Sequence, residues 1–204
     1  MNIILTGLRG TGKTSLGRLL AEDLARPFFD TDVLIEQRVA ESIQRYVTRL
    51  GWDAFREVEH QVICDVARQR EAVISTGGGA LIYERNARVL KPGGVIVLLA
   101  ADPAALVRRL QRSYARPPLT AEKNLEAEMR TLWTAREPLY RKVCDLVFQV
   151  DTETADARED LQRKLACLLA VLRPYLAPSP SESGRDEGEG RGESPACDAD
   201  PSTR

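Results

Sequence analysis

The sequence predicts an α/β fold, a three-layer α/β/α sandwich around a five-stranded parallel sheet with a mobile lid, and three observations predict it. Residues 7–14, GLRGTGKT, fit the phosphate-cradling pattern G-x-x-x-x-G-K-[ST] without mismatch, between a short apolar run and an amphipathic segment. Short runs of Val, Ile, Leu and Phe alternate with segments of helical periodicity. Several of those runs end in carboxylates or glycines, which a parallel sheet gathers at one edge.

The first strand is 2–6, whose β-branched apolar residues suit a buried parallel strand. The helix after the glycine loop carries Leu16, Leu19, Leu20 and Leu24 as one apolar stripe. Strand, loop and helix N-terminus in that order aim backbone N–H groups and the positive helix dipole at one point, so an anion belongs there. For a nucleoside triphosphate with Mg²⁺, Gly10 and Gly12 allow close backbone approach. Lys13 supplies charge for the β- and γ-phosphates, the Thr14 hydroxyl is placed for the metal, and Ser15 adds a second hydroxyl.

Downstream, 27–32 is an apolar segment ending in two carboxylates, Asp30 and Asp32, which a strand of period two would present on one side. Helices follow at 33–40, 42–50 and 52–69, the last bearing Arg56. The third strand, 72–76, runs into Gly77-Gly78-Gly79, where missing side chains let a ligand approach the backbone. A helix at 83–90, a turn at 91–94, a strand at 95–99 and a helix from Asp102-Pro103 come next. Residues 113–119 hold two prolines and Arg116 between helices, a candidate lid delivering a guanidinium to the γ-phosphate, with a solvated surface arginine as the alternative. A helix from about 121 should stop before Pro138 with Arg136 at its end. Strand 146–150 and a helix at 155–172 close the domain.

Residues 1–176 therefore form one domain, and 177–204, Pro-, Ser- and Gly-rich with seven acids and three arginines, form a tail expected to be disordered. The formal charge of −1 gives no basic field for nucleic acid or a membrane surface. Four cysteines form no C-x-x-C pair, which argues against disulfides and zinc. No apolar run approaches the ~18 residues of a membrane span and no leader pattern opens the chain, so a cytoplasmic protein is expected. Its only histidine, His60, lies mid-helix, leaving carboxylates for proton handling. Asp32 could orient or deprotonate a hydroxyl nucleophile in phosphoryl transfer. Arg56, Arg116 and Arg136 would together favour an acceptor carrying a carboxylate.

The motifs GLRGTGKTSLG, FFDTDVLIE, WDAFREVE, STGGG, ARPPL and REPLYRKV, in this order over 2–172, resemble the shikimate kinase family. The resemblance implies ATP-dependent phosphorylation of the 3-hydroxyl of shikimate, a carboxylated cyclohexene triol, by a monomer on the route to aromatic amino acids. It implies that Gly10, Thr11, Gly12, Lys13, Thr14 and Ser15 hold the ATP phosphates, with Thr14 on Mg²⁺ and Asp30 near the metal through water. Asp32 would bind the shikimate hydroxyls and act as base, while Arg56 and Arg136 grip the carboxylate and Gly78 gives a backbone contact. Glu59 would hold Arg56, Arg116 would be the lid arginine on ATP, and Arg109 would lie against the adenine. Glu41 stands where the family commonly has glycine, and 151–156 lacks the arginine or proline common there. The competing readings are a kinase of another small hydroxy acid, such as a gluconate kinase, and a non-catalytic or regulatory module that kept the fold. A GTPase would need N-K-x-D, which does not occur.

Overall fold

The computed structural model describes residues 1–112, 124–150 and 156–176. Among them the chain runs β1 (Asn2–Thr6), α1 (Lys13–Asp23), β2 (Phe28–Asp30), α2 (Thr31–Val39), α3 (Ile43–Ala67), β3 (Val73–Ser75), α4 (Glu84–Leu90), β4 (Gly94–Ala100), α5 (Pro103–Arg112), α6 (Leu125–Val143), β5 (Leu146–Gln149) and α7 (Ala157–Leu176). The five strands are all parallel, in the order β2-β3-β1-β4-β5.

Period two explains the two core layers. Ile3, Leu5 and Val97 face Leu16 and Leu20 of α1 and Leu165 and Leu168 of α7. Ile4, Ile74 and Ile96 face Ile63 and Val66 of α3 and Leu90 of α4. Every residue of β1 is buried, as a central strand covered on both faces requires. A third, smaller cluster of Ile35, Phe55 and Val62 joins α2 to α3 beside the sheet and supports one wall of a cleft.

Helix α3 is two helices in one. Gly51 interrupts it at φ 81, ψ 173, so 43–50 and 52–67 point differently, in keeping with the two segments read from sequence.

Three expectations need correction. Asp30 and Asp32 do not share one face of a strand, because β2 ends at Asp30 and its carboxylate caps α2 by accepting the Asp32 N–H at 3.1 Å. An aspartate with a free helix start beyond it satisfies an orphan donor better as an N-cap than as a strand residue. Helix α6 does not stop before Pro138 but carries it internally and ends at Val143, so Arg136 lies within the helix. The hydrogen bond lost at the proline is outweighed by burial beyond it, since Tyr140 is fully buried. Helix α7 likewise passes Pro174 to end at Leu176, four residues beyond the expected limit. The lid at 113–119 with Arg116, residues 151–155 and the tail 177–204 lie outside the described residues.

Candidate active site

The phosphate loop leaves the carboxyl end of β1. The Thr11 hydroxyl donates to the Leu8 carbonyl at 2.8 Å, and the Lys13 ammonium donates to the carbonyls of Gly7 and Leu8, both at 2.9 Å. Gly12 caps α1 in the left-handed region at φ 88, which glycine adopts without strain. Thr14 and Ser15 stand exposed at the helix start. The Thr14 hydroxyl donates to Asp30 Oδ2 at 2.7 Å, so the start of α1 and the end of β2 set two hard oxygen donors side by side. Among the described residues no three His, Cys, Asp or Glu side chains cluster as a metal site. Two such donors fit Mg²⁺, which keeps several waters and takes further oxygens from phosphates.

Beside the loop lies a cavity of about 550 Å³ whose lining includes Asp32, Arg56, Glu59, Gly78 and Arg136, from α2, α3, the triple glycine and α6. Arg56 donates to Glu59 Oε2 at 2.7 Å, and its guanidinium lies over the rings of Trp52, Phe55 and Tyr83 at 5.3, 5.0 and 4.9 Å. Its Nε is buried without a hydrogen-bond partner among the described residues, so the edge facing Glu59 is satisfied before Nε is. Burial pushes the Glu59 carboxyl above the ordinary glutamate value, against the pull of Arg56.

The glycines make the room. A Cβ at Gly77 would lie 2.7 Å from Asp32 Oδ1, and one at Gly79 would lie 3.0 Å from Arg56 Nη2. The Gly77 N–H donates to the Thr31 hydroxyl at 3.0 Å, tying the glycine loop to the start of α2. The Gly78 carbonyl accepts from Arg136 Nη1 at 3.2 Å and from the Tyr140 hydroxyl. That fully buried tyrosine is pushed up in pKa, by burial first, and so stays a donor.

The structure thus brings Asp32, Arg56, Gly78 and Arg136 to one cavity and Thr14 and Asp30 to one point. Arg109 is half-buried and donates to the Val150 carbonyl at 2.5 Å, fixing α5 to the end of β5. His60 is outside the cavity lining, half-buried with Nδ1 2.7 Å from Asn86 Oδ1. Glu41, the departure from the family pattern, pairs with Arg49 at the surface. Sequence reasoning missed Arg9, Glu128 and Tyr140. Glu128 and Tyr140 had a local signal, since Glu128, Leu132, Arg136 and Tyr140 recur at intervals of four, the spacing of one helix face, whereas nothing local pointed from Arg9 to Glu128.

The geometry suits transfer between a phosphate-bearing ligand on the loop and an anionic, hydroxylated one in the cavity. Comparison with known proteins agrees. The family model described as Shikimate kinase matches residues 9–168. A shikimate kinase from Syntrophus aciditrophicus is 41% identical over 177 residues, covering 80% of this chain and 90% of that protein. One from Moorella thermoacetica is 37% identical over 172 residues, covering 84% and 98%. Among solved structures, the shikimate kinase from Acinetobacter baumannii in complex with shikimate superposes with a TM-score of 0.74 at 33% identity, covering 86% of this chain and 95% of that one. A gluconokinase from Sinorhizobium meliloti, at 18% identity and a TM-score of 0.52, shares the fold alone. By fold, by cavity and by the family model spanning most of its length, this chain belongs to the shikimate kinase family.

Proposed function

We propose that this enzyme transfers the γ-phosphoryl group of ATP to the 3-hydroxyl of shikimate, giving shikimate 3-phosphate and ADP. The observation that carries the reading is the convergence of the Asp32 carboxylate with the guanidinium groups of Arg56 and Arg136 in a cavity beside the phosphate loop. A ring acid with several hydroxyls matches that set, because guanidinium forks grip a carboxylate and a carboxylate accepts from hydroxyls.

In this reading Gly10, Thr11, Gly12, Lys13, Thr14 and Ser15 cradle the phosphates, with Arg109 on the adenine side and Arg116, outside the described residues, reaching the nucleotide from the lid. Thr14 and Asp30, the latter through water, would hold Mg²⁺, which when bound would supply positive charge against that of the phosphates. Arg56 and Arg136 fix the acceptor carboxylate, and Gly78 lends a backbone contact. Asp32 orients the attacking hydroxyl and takes its proton as the new P–O bond forms and the bond from the γ-phosphorus to the bridging oxygen of ADP breaks. Positioning carries most of the work, since the transition state is loose. In this reading the enzyme works as a monomer in the cytoplasm; among the described residues no helix is long and apolar enough to cross a membrane.

The test is ADP release with Mg-ATP, with and without shikimate, beside Asp32→Asn. Shikimate-dependent turnover that collapses in the variant is expected. ATP binding without shikimate-dependent turnover would overturn the acceptor assignment.

A further inference from the structure

Helix α6 presents Glu128, Leu132, Arg136 and Tyr140 along one face, and its two ends are tied to different loops of the site. Toward the N-terminus, Glu128 Oε1 accepts from Arg9 Nη2 at 2.9 Å, with the glutamate side chain 3% exposed and the arginine 15%. About two and three turns on, Arg136 and Tyr140 both donate to the Gly78 carbonyl. Arg9 belongs to the phosphate loop, and Gly78 is tucked beneath that loop, where a Cβ would meet Gly7 O at 3.3 Å and Arg9 N at 3.4 Å. Phosphate loop, glycine loop and α6 therefore close a triangle. Arg9, Leu132 and Arg136 all line the acceptor cavity inside it.

A carboxylate withdrawn this far from water is costly unless a cation meets it in good geometry, so the pair holds the helix and the loop in one relative arrangement. A helix is stiff over two turns, so fixing Glu128 fixes where Arg136 projects. We propose that the Arg9–Glu128 ion pair is the positioning device that registers α6 on the phosphate loop, making Arg9 a positioning residue for the acceptor carboxylate. The inference rests on the cavity being the shikimate site. It assigns a loop residue, surrounded in sequence by nucleotide-binding positions, to affinity for the other substrate.

The experiment is steady-state kinetics on the full chain, varying ATP and shikimate separately, for the unsubstituted enzyme, Arg9→Met/Glu128→Leu and Arg9→Lys. An apolar pair of similar volume replaces a buried ion pair with little loss of stability, so the double variant folds while the directional contact is gone. Expected are a rise of about tenfold in KM for shikimate, a KM for ATP within about twofold of the parent, and a kcat within about threefold. Arg9→Lys, which keeps the charge and loses the planar fork, falls between the two. An unchanged shikimate KM in the double variant overturns the proposal, and so does an equal loss of affinity for both substrates. If the double variant does not fold, an unchanged shikimate KM in Arg9→Lys overturns it instead. Lack of shikimate turnover by the unsubstituted enzyme strikes the functional reading, and is thereby told apart.

Discussion

Arg56 and Glu59, one helical turn apart on α3, meet at 2.7 Å with the glutamate side chain 1% exposed, so a buried anion sits directly behind a cavity cation. The anion keeps Arg56 from turning away, and the three rings around the guanidinium limit its other directions.

Burial holds the Glu59 carboxyl above its ordinary 4.5, with Asp32 pushing the same way and Arg56 pulling it down. The folded protein therefore binds this proton more tightly than the unfolded chain, and unfolding releases it. Raising the pH from the unfolded value through the folded one disfavours the native state. Relative to Glu59→Gln, the wild type should lose stability across that window and then level off. Thermal unfolding of both proteins from about pH 4 to about pH 8 reads the difference, and parallel curves would contradict it.

Replacing Arg56 by lysine keeps a positive charge but removes the fork and the stacking on Trp52, Phe55 and Tyr83. The KM for shikimate should rise by roughly tenfold to a hundredfold while the KM for ATP holds. Separate titration of the two substrates checks it, and a change confined to ATP would refute the assignment.

Thr14 is exposed and touches Asp30 through its hydroxyl, so Thr14→Ala should leave the melting temperature nearly unchanged. Asp30→Asn should keep the cap on α2, since asparagine caps as well as aspartate. Both variants should require more Mg²⁺ for half-maximal activity, by about tenfold or more, because each removes or neutralises a hard oxygen donor. A metal titration that superposes on the wild type would remove these residues from the metal site.

Gly77→Ala puts a methyl where Asp32 Oδ1 would be only 2.7 Å away. The carboxylate must move, and kcat should fall about tenfold to a hundredfold, since small misplacements of reacting groups are costly. Turnover at the parental rate would show that Asp32 need not occupy its observed position.

Tyr140→Phe removes one of two donors on the Gly78 carbonyl and keeps the ring in its buried slot. Arg136 still satisfies that oxygen, so the loss should be about 1 kcal/mol rather than the ~3 of an orphaned group. Chemical denaturation measures it.

The fold was legible because buried parallel strands read as continuous apolar runs and the glycine loop fixes the first crossover. Irregularities decided by tertiary packing were not. Pro138 reads locally as a helix stop, and only the burial of Tyr140 two residues later makes the helix continue. Asp30 reads equally as a strand end or a cap, and the start of α2 decides. Of the cavity lining, the residues on motif positions, Asp32, Arg56, Gly78 and Arg136, could be named in advance. The ion pair between Arg9 and Glu128 could not, because a contact spanning 119 positions leaves no local pattern.

The torsion at Gly51 has a consequence for how wide the cavity's mouth can be. A side chain at this position would meet nothing within 4 Å, so crowding does not reserve it for glycine. Its backbone values, φ 81 and ψ 173, belong to a region that residues with a Cβ essentially never occupy. Residues 43–50 carry Ile43 and Val47 to one wall of the cavity, while the segment after Gly51 carries Arg56 to another. The angle between those walls is thus encoded in a single peptide torsion facing open solvent. Substitution there would strain the torsion and reshape the acceptor's enclosure by moving Ile43 and Val47, although the added side chain itself would touch nothing.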